Sequence, residues 1–117
     1  MSVSKNVVQL IGRLGAAPEI KKLENGNAMS KMRVATSESY KNAKGDWVTE
    51  TQWHNVTAWG KVAERSQGAD KGAEVFIEGK LEYRQYTGND GQKKFYTDII
   101  ALEFAVMQKQ VAESPAA

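Results

Sequence analysis

The chain has 117 residues, 41% hydrophobic and 26% charged, with a formal net charge of +2. That suits one domain with a real core and excludes the disordered and membrane-spanning classes. The small net charge neither demands nor excludes a polyanionic partner, and the absence of cysteine removes disulfides and thiolate metal sites.

The first element is the strand "NVVQLIGRL", from Asn6 to Leu14. Its apolar run is broken by Gln9 and Gly12, too short and polar for a signal peptide. No run approaches the ~20 apolar residues of a membrane span, so a soluble, cytoplasmic protein is expected. The sequon Asn55-Val56-Thr57 then reads as accidental. In "APEIKKLENGNAM", Asn25-Gly26 tolerates the positive φ of a tight turn, so the strands on either side should pair. "SKMRVATSESY" is a second strand, with Ser30, Met32, Val34 and Thr36 on one face and Lys31, Arg33 and Ala35 on the other.

"KNAKGDW" reads as a basic loop, and "VTETQWHNVTAW" as a third strand. A short helix over about Lys61 to Gln67 follows, closed by Gly68 or Gly72. "EVFIEGKLEYRQY" is a fourth strand with Gly79 as its bulge, "TGNDGQKK" a hairpin tip, and "FYTDIIALEFAVM" a fifth strand. Residues 108–117, "QKQVAESPAA", should fray as a flexible tail after a domain over 1–107. Five strands with one short helix between the third and fourth is the layout of an OB-fold, a five-stranded Greek-key barrel in an all-β protein. Binding in such barrels falls on strands two and three and on the loops joining strands one to two and four to five.

Alternation puts Trp53, Asn55, Thr57 and Trp59 on one face of the third strand, and His54, Val56 and Ala58 on the other. Two large rings separated by hydrogen-bonding groups make a wet face with flat platforms, which nucleobase stacking requires. Lys31 and Arg33 project from strand two, Lys61 follows Trp59, and Arg84 sits between Tyr83 and Tyr86. Cations tracking a phosphate backbone, with aromatics between them, form the recurring single-strand platform. Tryptophan in a strand is also common in cores, and cations on an outer sheet face are commonly just solvated. Period alone therefore leaves both readings open. Trp47, at a loop tip, could stack on a base or cap the barrel.

Several segments, "LIGRLGAAPE", "NGNA", "VATSESY", "WHNVTAWGKVAE", "KGAEVFIEGKLEYRQY" and "NDGQKKFYT", resemble the bacterial single-stranded DNA-binding protein (SSB) family over roughly the first hundred residues. The resemblance implies the OB-fold and sequence-independent binding of single-stranded DNA in replication, recombination and repair. It places Tyr40, Trp53, Trp59 and Tyr86 at the family's four stacking positions. Lys31, Arg33, Lys61 and Arg84 are the candidate phosphate contacts, with Arg13 and Lys21 as weaker ones. It sets His54 near a subunit interface, and implies homotetramers whose dimers form through the first strand. The family's replicative members end in an acidic tip with a terminal Pro-Phe. This sequence ends "ESPAA", so tail-mediated recruitment of replication and repair enzymes does not carry over with the motifs. A truncated chain, a short variant of mobile elements and phage, and a primosomal paralogue remain open. The last, an adaptor working chiefly through protein contacts, is the alternative function.

No enzyme, metal or cofactor is expected. His54, the only histidine, lies on the face opposite the tryptophans, and no nucleophile elbow accompanies Ser37 or Ser39. The acidic residues are dispersed. Gly60-Lys61 is not a phosphate loop, because Asn55 stands where its first glycine should be and Val62 replaces Ser or Thr.

Overall fold

The computed structural model describes residues 3–108. Six strands and one helix follow in the order β1 (Val8–Leu14), β2 (Glu19–Lys22), β3 (Ala28–Lys41), β4 (Trp47–Trp59), α1 (Gly60–Ser66), β5 (Glu74–Thr87) and β6 (Lys93–Gln108). The sheet runs β1-β5-β6-β4-β3-β2, and β1 also pairs with β3, which closes the barrel. The five strands expected from sequence are β1, β3, β4, β5 and β6. The sixth, β2, is the short strand before the Asn25-Gly26 turn, and it pairs with β3 from Glu19↔Lys31 to Lys22↔Ala28. The expected tail falls at 108–117, of which 109–117 lie outside the described residues.

Three hairpin turns share one construction. Leu23 N–H donates to Asn27 O, Asn42 N–H to Asp46 O, and Gly88 N–H to Gln92 O. In each, the glycine three residues on returns its N–H to the first carbonyl: Gly26 to Leu23, Gly45 to Asn42 and Gly91 to Gly88. All three glycines have positive φ, from 78 to 87°. This is the three-residue hairpin loop whose last position needs the left-handed region. An Asx side chain tightens each turn, through Asn25, Asn42 and Asp90.

The core lies inside the barrel. Val34, Val56, Val75 and Ile77 are fully buried, and Leu14, Met32, Ile99 and Phe104 surround them. Each such side chain contributes about 1.5–3 kcal/mol relative to exposure. α1 plugs one side, with Ala63 and Ser66 buried and the Ser66 hydroxyl 2.8 Å from that of Ser30. Gly79 marks the expected bulge, where the β5–β6 register shifts between Glu78 and Gly79. The crossing is tight enough that a Cβ there would stand 1.9 Å from the Ile100 carbonyl oxygen.

The β3–β4 hairpin is longer than the sequence suggested. Its ladder runs unbroken from Met29↔Trp59 to Lys41↔Trp47, so only the residues between Lys41 and Trp47 turn. The basic loop is therefore mostly the end of a two-stranded arm. Trp47 is 70% exposed on that arm and does not cap the barrel.

Candidate nucleic-acid interface

β4 delivers Trp53 and Trp59 to one outer face, 50% and 42% exposed. Its register with β3 sets Lys31 opposite Thr57, Arg33 opposite Asn55, and Ala35 opposite Trp53. Lys31 and Arg33 are exposed on this same face. The Arg33 guanidinium lies 4.9 Å from the centre of a Trp53 ring, at cation–π distance. β5 and β6 continue the face, with Arg84 opposite Tyr96 and Tyr86 opposite Lys94. Tyr86 and Tyr96 meet edge to face at 5.8 Å between ring centres.

Between β4, β6 and the β1–β2 loop lies a cleft of about 510 Å³. Its walls include Trp59, Tyr96, Met29, Lys31, Arg33 and Arg84. Trp53, Tyr86 and Lys61 lie outside its lining. Lys61 is exposed at the start of α1, two residues past Trp59.

Trp53 owes its position to Gly15. A Cβ on Gly15 would stand 2.6 Å from Trp53 Cζ3, so the indole lies against a backbone that has room only because it carries no side chain. Gly15 N–H donates to Arg33 O at 2.9 Å, so the ring's floor and its cation belong to one bonded pair. Gly15→Ala should displace the indole, the free end of a side chain, and leave the barrel standing. The expected result is a near-normal melting curve, shifted tryptophan emission, and binding of oligo(dT) weakened by up to the ~1–3 kcal/mol of a stacking platform. Unchanged emission would count against this contact.

Three sequence expectations need correction or refinement. Thr57 does not keep the face wet, because it is only 6% exposed. β6 runs parallel beside β4 through Thr57↔Ile100 and covers it. The Thr57 hydroxyl donates to the buried Asp98 carboxylate at 2.8 Å, which satisfies two polar groups that would be costly alone. Arg84 is not a free cation. Its Nη2 lies 2.9 Å from Glu82 Oε1, and its Nε lies 3.8 Å from Asp98 Oδ2. Among the described residues, that buried Nε has no hydrogen-bond partner.

Tyr40 is the third. The unbroken ladder puts it on the opposite face of the arm from Trp53. There its hydroxyl donates to Glu50 Oε1 at 3.1 Å. Tyr86, Trp53 and Trp59 thus share the cationic face, and Tyr40 does not. His54 is on the inner face as expected, partly buried, with Nε2 2.9 Å from Thr36 Oγ1. Arg13 donates to the Gly72 carbonyl, and Lys21 is exposed on β2. Tyr96 and Gly15 were missed. Strand parity on β6 could have found Tyr96 once its register with Arg84 was known. The contact that Gly15 makes had no sequence signal.

Among the described residues, no group of three or more His, Asp or Glu side chains is placed to hold a metal ion, and no helix is long and apolar enough to cross a membrane. A model of the single-strand binding protein family matches residues 5–107. The single-stranded DNA-binding protein of Neisseria meningitidis serogroup B is 42% identical over 106 residues, 90% of this chain and 61% of that protein. Single-stranded DNA-binding protein 1 of Chlorobaculum tepidum is 38% identical over 109 residues, 92% of this chain and 67% of that protein. The chain thus spans roughly two thirds of these relatives' length. Among solved structures, a Plasmodium falciparum SSB complex with single-stranded DNA aligns with a TM-score of 0.81 at 26% identity, covering 94% of this chain and 99% of that one. A deletion mutant of the single-stranded DNA-binding protein from Thermus aquaticus aligns with a TM-score of 0.77 at 30% identity, covering 89% of this chain and 51% of that one.

Proposed function

Because the chain belongs to the single-strand binding protein family, we propose that it binds single-stranded DNA without reading its sequence and shields it during replication, recombination and repair in the cytoplasm. The observation that carries this is the single face on which Trp53, Trp59 and Tyr86 stand among Lys31, Arg33 and Lys94. Stacking takes any base, because every base has a π-face, and the cations neutralise phosphates. Tyr96 supports Tyr86 from the side. Lys61 extends the positive rim beyond Trp59.

Arg84 has a different role in this reading. Its charge is already offset by Glu82 and Asp98, so it holds the floor of the cleft and offers hydrogen bonds more than net charge. Titration with oligo(dT) at a series of salt concentrations tests the whole. Affinity should fall with salt at a log–log slope of ~0.7 per phosphate neutralised. Lys31→Ala or Arg33→Ala should each reduce that slope, and Arg84→Gln should change it less. No change in fluorescence or mobility at low salt would end the proposal.

We also propose a homo-oligomer, with a tetramer as the expected state. Ile11 and Val7 are exposed on and just before β1, beside half-buried Phe76 of β5, and supply apolar surface for a β1-mediated dimer. His54 would serve that assembly and not the DNA. Mass in solution tests this. A dimer with weak DNA affinity would instead fit the adaptor that works through protein contacts, which no feature of the described residues favours.

A further inference from the structure

The cleft beside Trp59 carries opposite charge at its rim and at its floor. Lys31 and Arg33 are exposed at the rim, with Glu19 of β2 opposite Lys31. Asp98 lines the same cleft but is only 5% exposed, so it stands at the floor. The β5–β6 register sets Glu82 directly across from Asp98, on the face that also carries Arg84. Two carboxylates so placed repel each other. Arg84 bridges them, its Nη2 2.9 Å from Glu82 and its Nε 3.8 Å from Asp98. One cation between two carboxylates leaves the trio with a net negative charge. Asp98 also accepts the Thr57 hydroxyl at 2.8 Å, which ties the trio to β4.

A phosphate brought to this floor meets net repulsion, in a place where burial weakens screening by salt. A nucleobase is neutral and meets none. It can still use the polar groups there, Arg84 as a donor and Asn55 as a donor or acceptor. At the rim the balance reverses, because two cations stand against one carboxylate. We propose that Asp98 and Glu82 determine what enters the cleft: acting through Arg84, they make its floor a slot for a nucleobase and exclude phosphate, which is left to Lys31 and Arg33. Both carboxylates are positioning residues, since neither has to touch the strand. This rests on the DNA-binding reading above and deepens it, by assigning which part of the strand lies in the cleft.

The test compares oligo(dT) with an abasic oligodeoxynucleotide of the same length, which keeps the phosphates and lacks the bases. Asp98→Asn removes the buried charge and keeps an acceptor for Thr57. Glu82→Gln removes the other charge from a side chain that is 42% exposed, so it decides the matter if Asp98→Asn does not fold. In each variant the abasic strand should bind several-fold more tightly at low salt than it binds wild type. Its log–log salt slope should steepen by up to ~0.7, the value of one more phosphate neutralised. Oligo(dT), with a base already in the floor, should change less. Adding Arg84→Gln should abolish the gain, because the phosphate then has no guanidinium to meet. A merely structural role would move the melting temperature and both strands together. A ratio of abasic to oligo(dT) affinity unchanged in Glu82→Gln, or a gain that persists beside Arg84→Gln, would overturn the proposal. If wild type binds neither strand, the DNA-binding reading itself fails. If wild type binds oligo(dT) and the ratio does not move, only the assignment of the cleft is lost.

Discussion

Replacing Trp53 and Trp59 together with alanine should weaken oligo(dT) binding by roughly 2–6 kcal/mol, about 30-fold at the least. In the proposed binding mode each indole supplies one platform worth about 1–3 kcal/mol. They stand six positions apart on the strand, far enough for the two losses to add. Both rings are about half exposed, so the variant keeps its barrel and a circular dichroism melt should show one cooperative transition. The check is a titration of wild type, both single variants and the double variant at one salt concentration. A double variant that binds like either single variant would mean that only one ring stacks.

Gly79→Val should cost at least about 3 kcal/mol of folding stability, above the usual range for overpacking. The reason is the neighbour that the new side chain meets. It is the backbone carbonyl of Ile100, 1.9 Å from the Cβ position, with the carbonyl carbon at 2.8 Å. A backbone atom in a paired strand cannot swing aside as a side-chain tip can. The β5–β6 ladder must open at its bulge, which carries Ile77 and Ala101 of the core on either side. Against a typical total of ~5–15 kcal/mol, that loss should appear as a large drop in the urea midpoint, or as insoluble protein. A midpoint unchanged from wild type would refute this account of the bulge.

The sequence made the barrel legible because its strands are long and its turns strongly marked. Asn25-Gly26 placed one hairpin, and the glycine of "EGK" placed the bulge. Parity on β4 correctly set Trp53 and Trp59 against His54 and Val56. Parity also groups Tyr40 with Met32 and Val34. It was the family resemblance, not the period, that grouped Tyr40 with the tryptophans. What could not be read depends on partners distant in the chain. Thr57 looks like a surface hydroxyl until β6 lies down beside it and Asp98 accepts its hydrogen bond. Arg84 looks like a free cation until the same aspartate and Glu82 surround it. "KNAKGDW" contains turn-forming residues, yet the two long strands around it pull Lys41 and Trp47 into their ladder. Local turn preference there yields to continued pairing.

The barrel is closed by little. β1 meets β3 through only Arg13↔Ala35 and Leu14↔Val34 in the ladder, and the Gly15–Arg33 bond extends that pairing by one step. Those last two residues are also the ones against the Trp53 ring. The seam and the platform are therefore one mechanical unit. In the proposed binding mode, a base pressed onto Trp53 would bear on the stitch that keeps the sheet from unrolling into an open ribbon. A bound strand would act as a clasp on the barrel, and an empty one would leave its narrowest join to hold alone.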